Sequence, residues 1–183
     1  MLVLVQHLIR SGRHGRARTA ELGRLAARWE AQPTPRRMGP EGRALAARIA
    51  ALKVELSQRL AGVRSCTGCA EGCAMPSGHF PGGRCCGTAT LEVFAPGEVA
   101  AMKAGGITAP LEPAEAGHES AGCTFRGPSG CVRPPEGRPS RCLVYVCNEL
   151  RDELEGTGRA GDVHRLRERL DAAQAAFEAR LRR

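Results

Sequence analysis

Residues 43–63, RALAARIAALKVELSQRLAGV, decide the fold class. Leu45, Ile49, Leu52, Leu56, Leu60 and Val63 recur at steps of three and four, the spacing that lays one apolar stripe along an α-helix. Arg43, Arg48, Lys53, Glu55 and Arg59 are set mostly off that stripe. On the N-terminal side, QPTPRRMGP (32–40) concentrates three prolines and a glycine and predicts a loop or hinge. Before it, between Arg16 and Gln32, Leu22, Leu25, Ala26 and Trp29 share a second helical face, with Thr19 as the expected N-cap.

The far end of the chain repeats the pattern. Val163, Leu166, Leu170, Ala173, Phe177 and Leu181 define a C-terminal helix, with Asp162 placed to favour its N-terminus. A shorter helix is expected from about Leu143 to Leu154, with GTGRAG (156–161) separating the two. One-sided stripes require burial, and a helical hairpin within one chain is favoured over a dimeric coiled coil.

Between these flanks the character changes. From Arg64 to Asn148, Gly and Pro are dense and long apolar runs are absent, while each ordered residue costs about 1–2 kcal/mol of backbone entropy. ATLEVF (89–94) alternates weakly and predicts one strand. PGEVAAMKAGG (96–106) reads as a short helix with proline at its start and glycines at its stop. The rest of the stretch reads as loop, so something besides apolar burial is expected to hold it.

All nine cysteines lie here: Cys66, Cys69, Cys73, Cys85, Cys86, Cys123, Cys131, Cys142 and Cys147. The opening MLVLVQHLIR has neither a basic n-region nor a small-residue cleavage site, and no window reaches the roughly 18–20 apolar residues of a bilayer span. A cytoplasmic protein with reduced thiols is expected, which favours metal over disulfides, as does the odd number of cysteines.

Cys66-x2-Cys69-x3-Cys73 is a compact knuckle in which Gly68 and Gly72 permit the turn that points thiolates at one ion. Cys85 and Cys86 are adjacent, and their side chains tend to diverge toward different positions of a cluster. Cys123-x7-Cys131-x10-Cys142-x4-Cys147 must reach them by tertiary folding. Eight ligands would complete two four-thiolate sites and leave one cysteine over, Cys73 being next in line.

The order of these elements resembles the bacterial cysteine-cluster family of the YkgJ type, described as a zinc- or iron-chelating domain, over about residues 66–147. The resemblance is carried by Cys66-x2-Cys69, by Cys85-Cys86 followed by LEVFAPGEVAAM, by Cys123 and Cys131, and by RPSRCLVYVC. That last string is similar to the family's Arg-Pro-x2-Cys-x2-aromatic-x-Cys signature, matched by Arg138, Pro139, Cys142, Tyr145 and Cys147. Cys73 and the insertion AMPSGHFPGGR depart from the family's spacing, and Leu143 stands where an Arg is usual. The resemblance implies metal chelation by thiolates and no particular reaction.

Other residues carry weaker signals. His79 and His118 lie close enough to the cysteines to replace a thiolate, yet each reads more simply as a solvated loop histidine. His7, His14 and His164 sit among charged residues. Arg138 and Arg141 flank the final cysteines and would offset thiolate charge, or, for Arg138-Pro139, fix the approach to Cys142 and cap nearby carbonyls.

The expected fold is mostly α with an irregular, metal-stabilised, cysteine-rich core and little or no β: a helical extension over 1–64, a metal-binding module over 65–148, and a C-terminal helix over 149–183 packing on the N-terminal one. The leading functional expectation is a cysteine-thiolate metal-binding protein, holding an iron–sulfur cluster or iron, with zinc as close alternative, in a structural or electron-carrying centre. Substituting Cys142 or Cys147 is then expected to unfold the middle segment. The amphipathic flanks would serve protein docking or self-association.

An iron- or iron–sulfur-dependent oxidoreductase or modification enzyme is the first alternative, since the flagellin lysine methylase family carries a similar cysteine cluster. No nucleotide loop or cofactor signature supports it. A metal- or redox-sensing module that binds nucleic acid is the second. The net charge of +8 favours it, but aromatic residues interleaved with the basic ones are missing, and of 27 basic residues only Lys53 and Lys103 are lysine.

Overall fold

A computed structural model describes residues 20–33, 38–65, 94–109, 124–127 and 130–182. Helix α1 occupies residues 20–31. Helix α2 (Gly39–Arg59) opens with Pro40, whose missing N–H costs nothing in a first turn, and with Glu41, whose charge complements the helix dipole. Helix α3 (Pro96–Ala104) starts on proline and stops at Gly105 and Gly106, the latter at φ +73°. A two-residue antiparallel ladder pairs β1 (Arg126–Gly127) with β2 (Gly130–Cys131), and a 3-10 turn (Pro135–Gly137) follows. The chain ends in α4 (Ser140–Val144), α5 (Asn148–Gly156) and α6 (Ala160–Leu181). The described fold is mostly α with almost no strand.

The two stripes read from the sequence meet. Leu52, Leu56 and Ile49 of α2 pack with Val163, Leu166, Leu170 and Phe177 of α6, each of them nearly or wholly withdrawn from solvent. Full burial of such side chains contributes about 1.5–3 kcal/mol apiece. The helices run antiparallel, since Glu41 near the start of α2 pairs with Arg180 near the end of α6 while Arg59 pairs with Asp162 at 3.7 Å. Leu150 and Leu154 of α5 close one side of this core, and Leu143 of α4 joins them.

A second cluster gathers Leu25 and Trp29 of α1, Phe94, Val99 and Met102 of α3, and Phe125. Phe94 and Phe125 meet edge to face at 5.9 Å between ring centroids, a contact worth about 0.5–1.5 kcal/mol beyond its area. Arg28 Nη1 donates to the Phe94 carbonyl at 2.5 Å, and Lys103 Nζ donates to the carbonyls of Trp29, Glu30 and Gln32 at the C-terminal end of α1, where Trp29 also accepts the Gln32 N–H. Helix α3 is the wall between the clusters: Ala100, Ala101 and Ala104 face the hairpin, while Val99 and Met102 face the aromatics. It lies so close to α6 that a Cβ at Gly97 would come within 2.6 Å of Glu178 Cγ.

Three expectations require correction. Lys53 is not off the stripe but wholly buried on it, because it follows Ile49 by four residues and precedes Leu56 by three. The single helix expected over 143–154 is two helices, α4 and α5, broken at Tyr145–Cys147 because Cys147 caps the second. Within the stretch 64–148, Phe94, Val99, Ala100, Ala101, Met102, Phe125 and Leu143 are buried, so apolar burial contributes there. Helix α2 ends at Arg59, so Leu60 and Val63 lie beyond it, though Val63 remains buried. The strand over 89–94 and the Thr19 cap lie outside the described residues, Phe94 excepted. Among the described residues no helix is long and apolar enough to cross a membrane.

Candidate metal centre

Three of the nine cysteines fall in the described residues. Cys131 ends β2, where it pairs with Arg126 across the ladder. Cys142 lies in α4, and its N–H donates to the Pro139 carbonyl at 3.0 Å. Both thiols are half-buried and border the aromatic cluster. Cys147 packs instead against the hairpin core. Its Sγ accepts the Leu150 N–H at 3.4 Å, so the thiol caps α5 in the place usually taken by Ser, Thr, Asp or Asn. Burial pushes the Cys147 thiol above its ordinary pKa, and the Leu150 N–H offsets part of that rise.

Cys66, Cys69, Cys73, Cys85, Cys86 and Cys123 lie outside the described residues, as do His7, His14, His79 and His118. Among the described residues, no three Cys, His, Asp or Glu side chains converge to hold a metal ion. The residues next to two of these cysteines are described. Ser65, which precedes Cys66, donates its N–H to Glu153 Oε2 at 2.9 Å, and Arg64 donates to Oε1 at 2.7 Å. Burial acts to raise the Glu153 pKa, but these two N–H groups, with Ser65's hydroxyl and Arg159, hold it below the ordinary glutamate value. Thr124, which follows Cys123, is buried.

Pro139 and Arg138 are extended, at φ −58° and −75°, and feed the chain into α4. Arg138 Nε donates to the Arg133 carbonyl at 2.9 Å, which is the carbonyl-capping one of the two roles open to it. Arg141 is exposed. His164 is largely exposed, 3.4 Å from Glu168 on its own helix, in keeping with the solvated reading.

The sequence reading missed a buried polar network behind α4. Lys53 Nζ lies 2.7 Å from Glu98 Oε1 and donates to the Arg138 carbonyl at 2.8 Å. The same Glu98 oxygen accepts the Ser140 N–H at 2.5 Å and the Ser140 hydroxyl at 2.6 Å, and Gln174 Nε2 donates to that hydroxyl. Arg133 was missed as well. Almost fully buried, it lies 5.7 Å over the Phe125 ring and donates to the Thr108 carbonyl at 3.3 Å. Only Lys53 left a signal, through its helical register.

A cleft of about 220 Å³ opens beside the network, lined on α4 by Ser140, Arg141 and Val144, a set that leaves out Cys142. Thiolates are the donors that zinc, iron and iron–sulfur centres take, and of the three described cysteines Cys131 and Cys142 both pack, half-buried, against the aromatic cluster. Comparisons with family models, curated proteins and solved structures find no match to this chain.

Proposed function

We propose that this chain is a metal-binding protein whose cysteine thiolates hold an iron–sulfur cluster, iron or zinc in a structural or electron-carrying centre. The observation that supports the reading is that Cys131 and Cys142, delivered by separate elements, both pack against the aromatic cluster. The likeness of RPSRCLVYVC to the YkgJ-type signature supports it, as do the anchors at Ser65 and Thr124 beside Cys66 and Cys123. Cys66, Cys69, Cys85, Cys86, Cys123, Cys131, Cys142 and Cys147 are the proposed ligands, with Cys73 as the spare or substitute.

When bound, the metal would cross-link the elements that carry its cysteines and, if iron, would carry an electron. The chain's own contribution is to fix thiols before loading and to supply N–H donors to sulfur, as Leu150 does for Cys147. Docking to a protein partner or a second copy through the exposed helical faces is part of the same proposal.

Anaerobic purification, with elemental analysis and a visible absorption spectrum of the same sample, tests it. Iron with acid-labile sulfide and a brown colour is expected for a cluster, and a colourless protein with stoichiometric zinc for a structural site. Protein with neither metal, and with no uptake of either on reconstitution, would overturn the reading.

A further inference from the structure

The structure assigns a job to the buried Lys53–Glu98 pair that goes beyond holding helices together. We propose that Lys53 and Glu98 are positioning residues for Cys142, an inference that rests on the metal-binding reading above. Two backbone groups, the Arg138 carbonyl and the Ser140 N–H, bracket Pro139 at the entry to α4, and the pair grips both: Lys53 takes the carbonyl and Glu98 takes the N–H. Pro139 cannot donate and has a fixed φ, so the three-residue segment is held at each end and stiff in the middle. Cys142 follows two residues later, with its own N–H on the Pro139 carbonyl.

Stability alone does not account for the pair. A buried ion pair of this kind contributes little net stability against well-packed apolar residues of the same volume, because desolvation offsets the attraction. What the pair supplies is geometry, since Lys53 belongs to α2 and Glu98 to α3. Composition points the same way: in a chain that uses arginine almost everywhere, lysine stands where a compact ammonium must reach a carboxylate and a carbonyl together. Arg138 extends the effect to the other cysteine of the rim, because its Nε holds the carbonyl of Arg133, two residues after Cys131. Groups that orient ligands from behind typically change metal affinity about 10–100-fold when removed.

The test uses the full chain, purified with its metal, as wild type, as the double variant Lys53→Met/Glu98→Leu, and as Ser140→Ala. Metal content, the rate of metal loss to a chromogenic chelator and the thermal melt of helical circular dichroism are measured on each. The double variant is expected to keep its melt and lose metal about 10-fold or more faster. Ser140→Ala keeps the ion pair, removes one donor to Glu98, and is expected to show a smaller change in the same direction, which serves if the double variant fails to fold. Metal loss at the wild-type rate in whichever variants fold would overturn the assignment while leaving the metal-binding reading intact. A wild type that holds no metal would overturn both.

Discussion

The core between α2 and α6 is mostly aliphatic and continuous along two long helices, whereas the cluster around Phe94 and Phe125 is half aromatic and assembled from short pieces far apart in sequence. The first is closed by its own periodicity: each turn adds apolar area to the next, and ion pairs at both ends fix the register. The second has no such extension, and two half-buried cysteines stand at its rim. A region that buries little apolar surface per ordered residue needs another source of cohesion. The smaller cluster, with two cysteines packed against it, is where the proposed metal would add such cohesion.

Metal removal should separate the two regions most sharply, because a structural metal site supplies on the order of 10 kcal/mol to whatever it organises. Trp29, the single tryptophan, sits in the aromatic cluster and reports on it alone. Chelation under reducing conditions is expected to shift Trp29 emission to the red while most helical circular dichroism survives. Loss of both signals together would show that the hairpin depends on the metal too.

Matched cavities come next in size. Phe177→Ala in the hairpin core should lower global stability by about 3–5 kcal/mol in denaturant unfolding. Phe125→Ala in the aromatic cluster should first speed metal loss and expose Trp29, with helical structure lost only at higher denaturant. Coincident transitions in both variants would erase the distinction between the two regions.

The smallest effect concerns the contact that holds residues 64 and 65 against α5, on the hairpin side of the molecule. Glu153 has a lowered pKa, so its contribution is present above the ordinary value of 4.5 and is lost as pH falls through the lower folded value. Because the contact is exposed, the loss should be under about 1 kcal/mol. Melting temperature measured through this acid range should fall less in Glu153→Gln than in wild type, and identical pH profiles would dismiss the clamp.

The helices were legible because their stripes obey a period that chain geometry imposes. Even Lys53 could have been placed, since its register puts it between Ile49 and Leu56; its charge argued for the surface, and no local signal announced Glu98 as its partner. The break at Tyr145–Cys147 was hidden because LVYVCNEL keeps an apolar rhythm through it, and cysteine is not an expected cap. The aromatic cluster was illegible for a different reason. Leu25, Phe94 and Phe125 share no period, and their meeting depends on which face α3 turns toward α1. Cysteine spacing named candidate ligands, but only the fold shows that Cys131 and Cys142 pack against the aromatic cluster while Cys147 packs against the hairpin core.

Lys53 and Lys103 have a practical consequence. Apart from the N-terminus they are the only primary amines in the chain, and both hold backbone carbonyls in place. Amine-directed acylation or surface coupling would therefore act on the framework: at Lys103 by freeing the end of α1, and at Lys53 only once the hairpin has opened. A chemistry that decorates the exterior of most proteins would here act as a wedge.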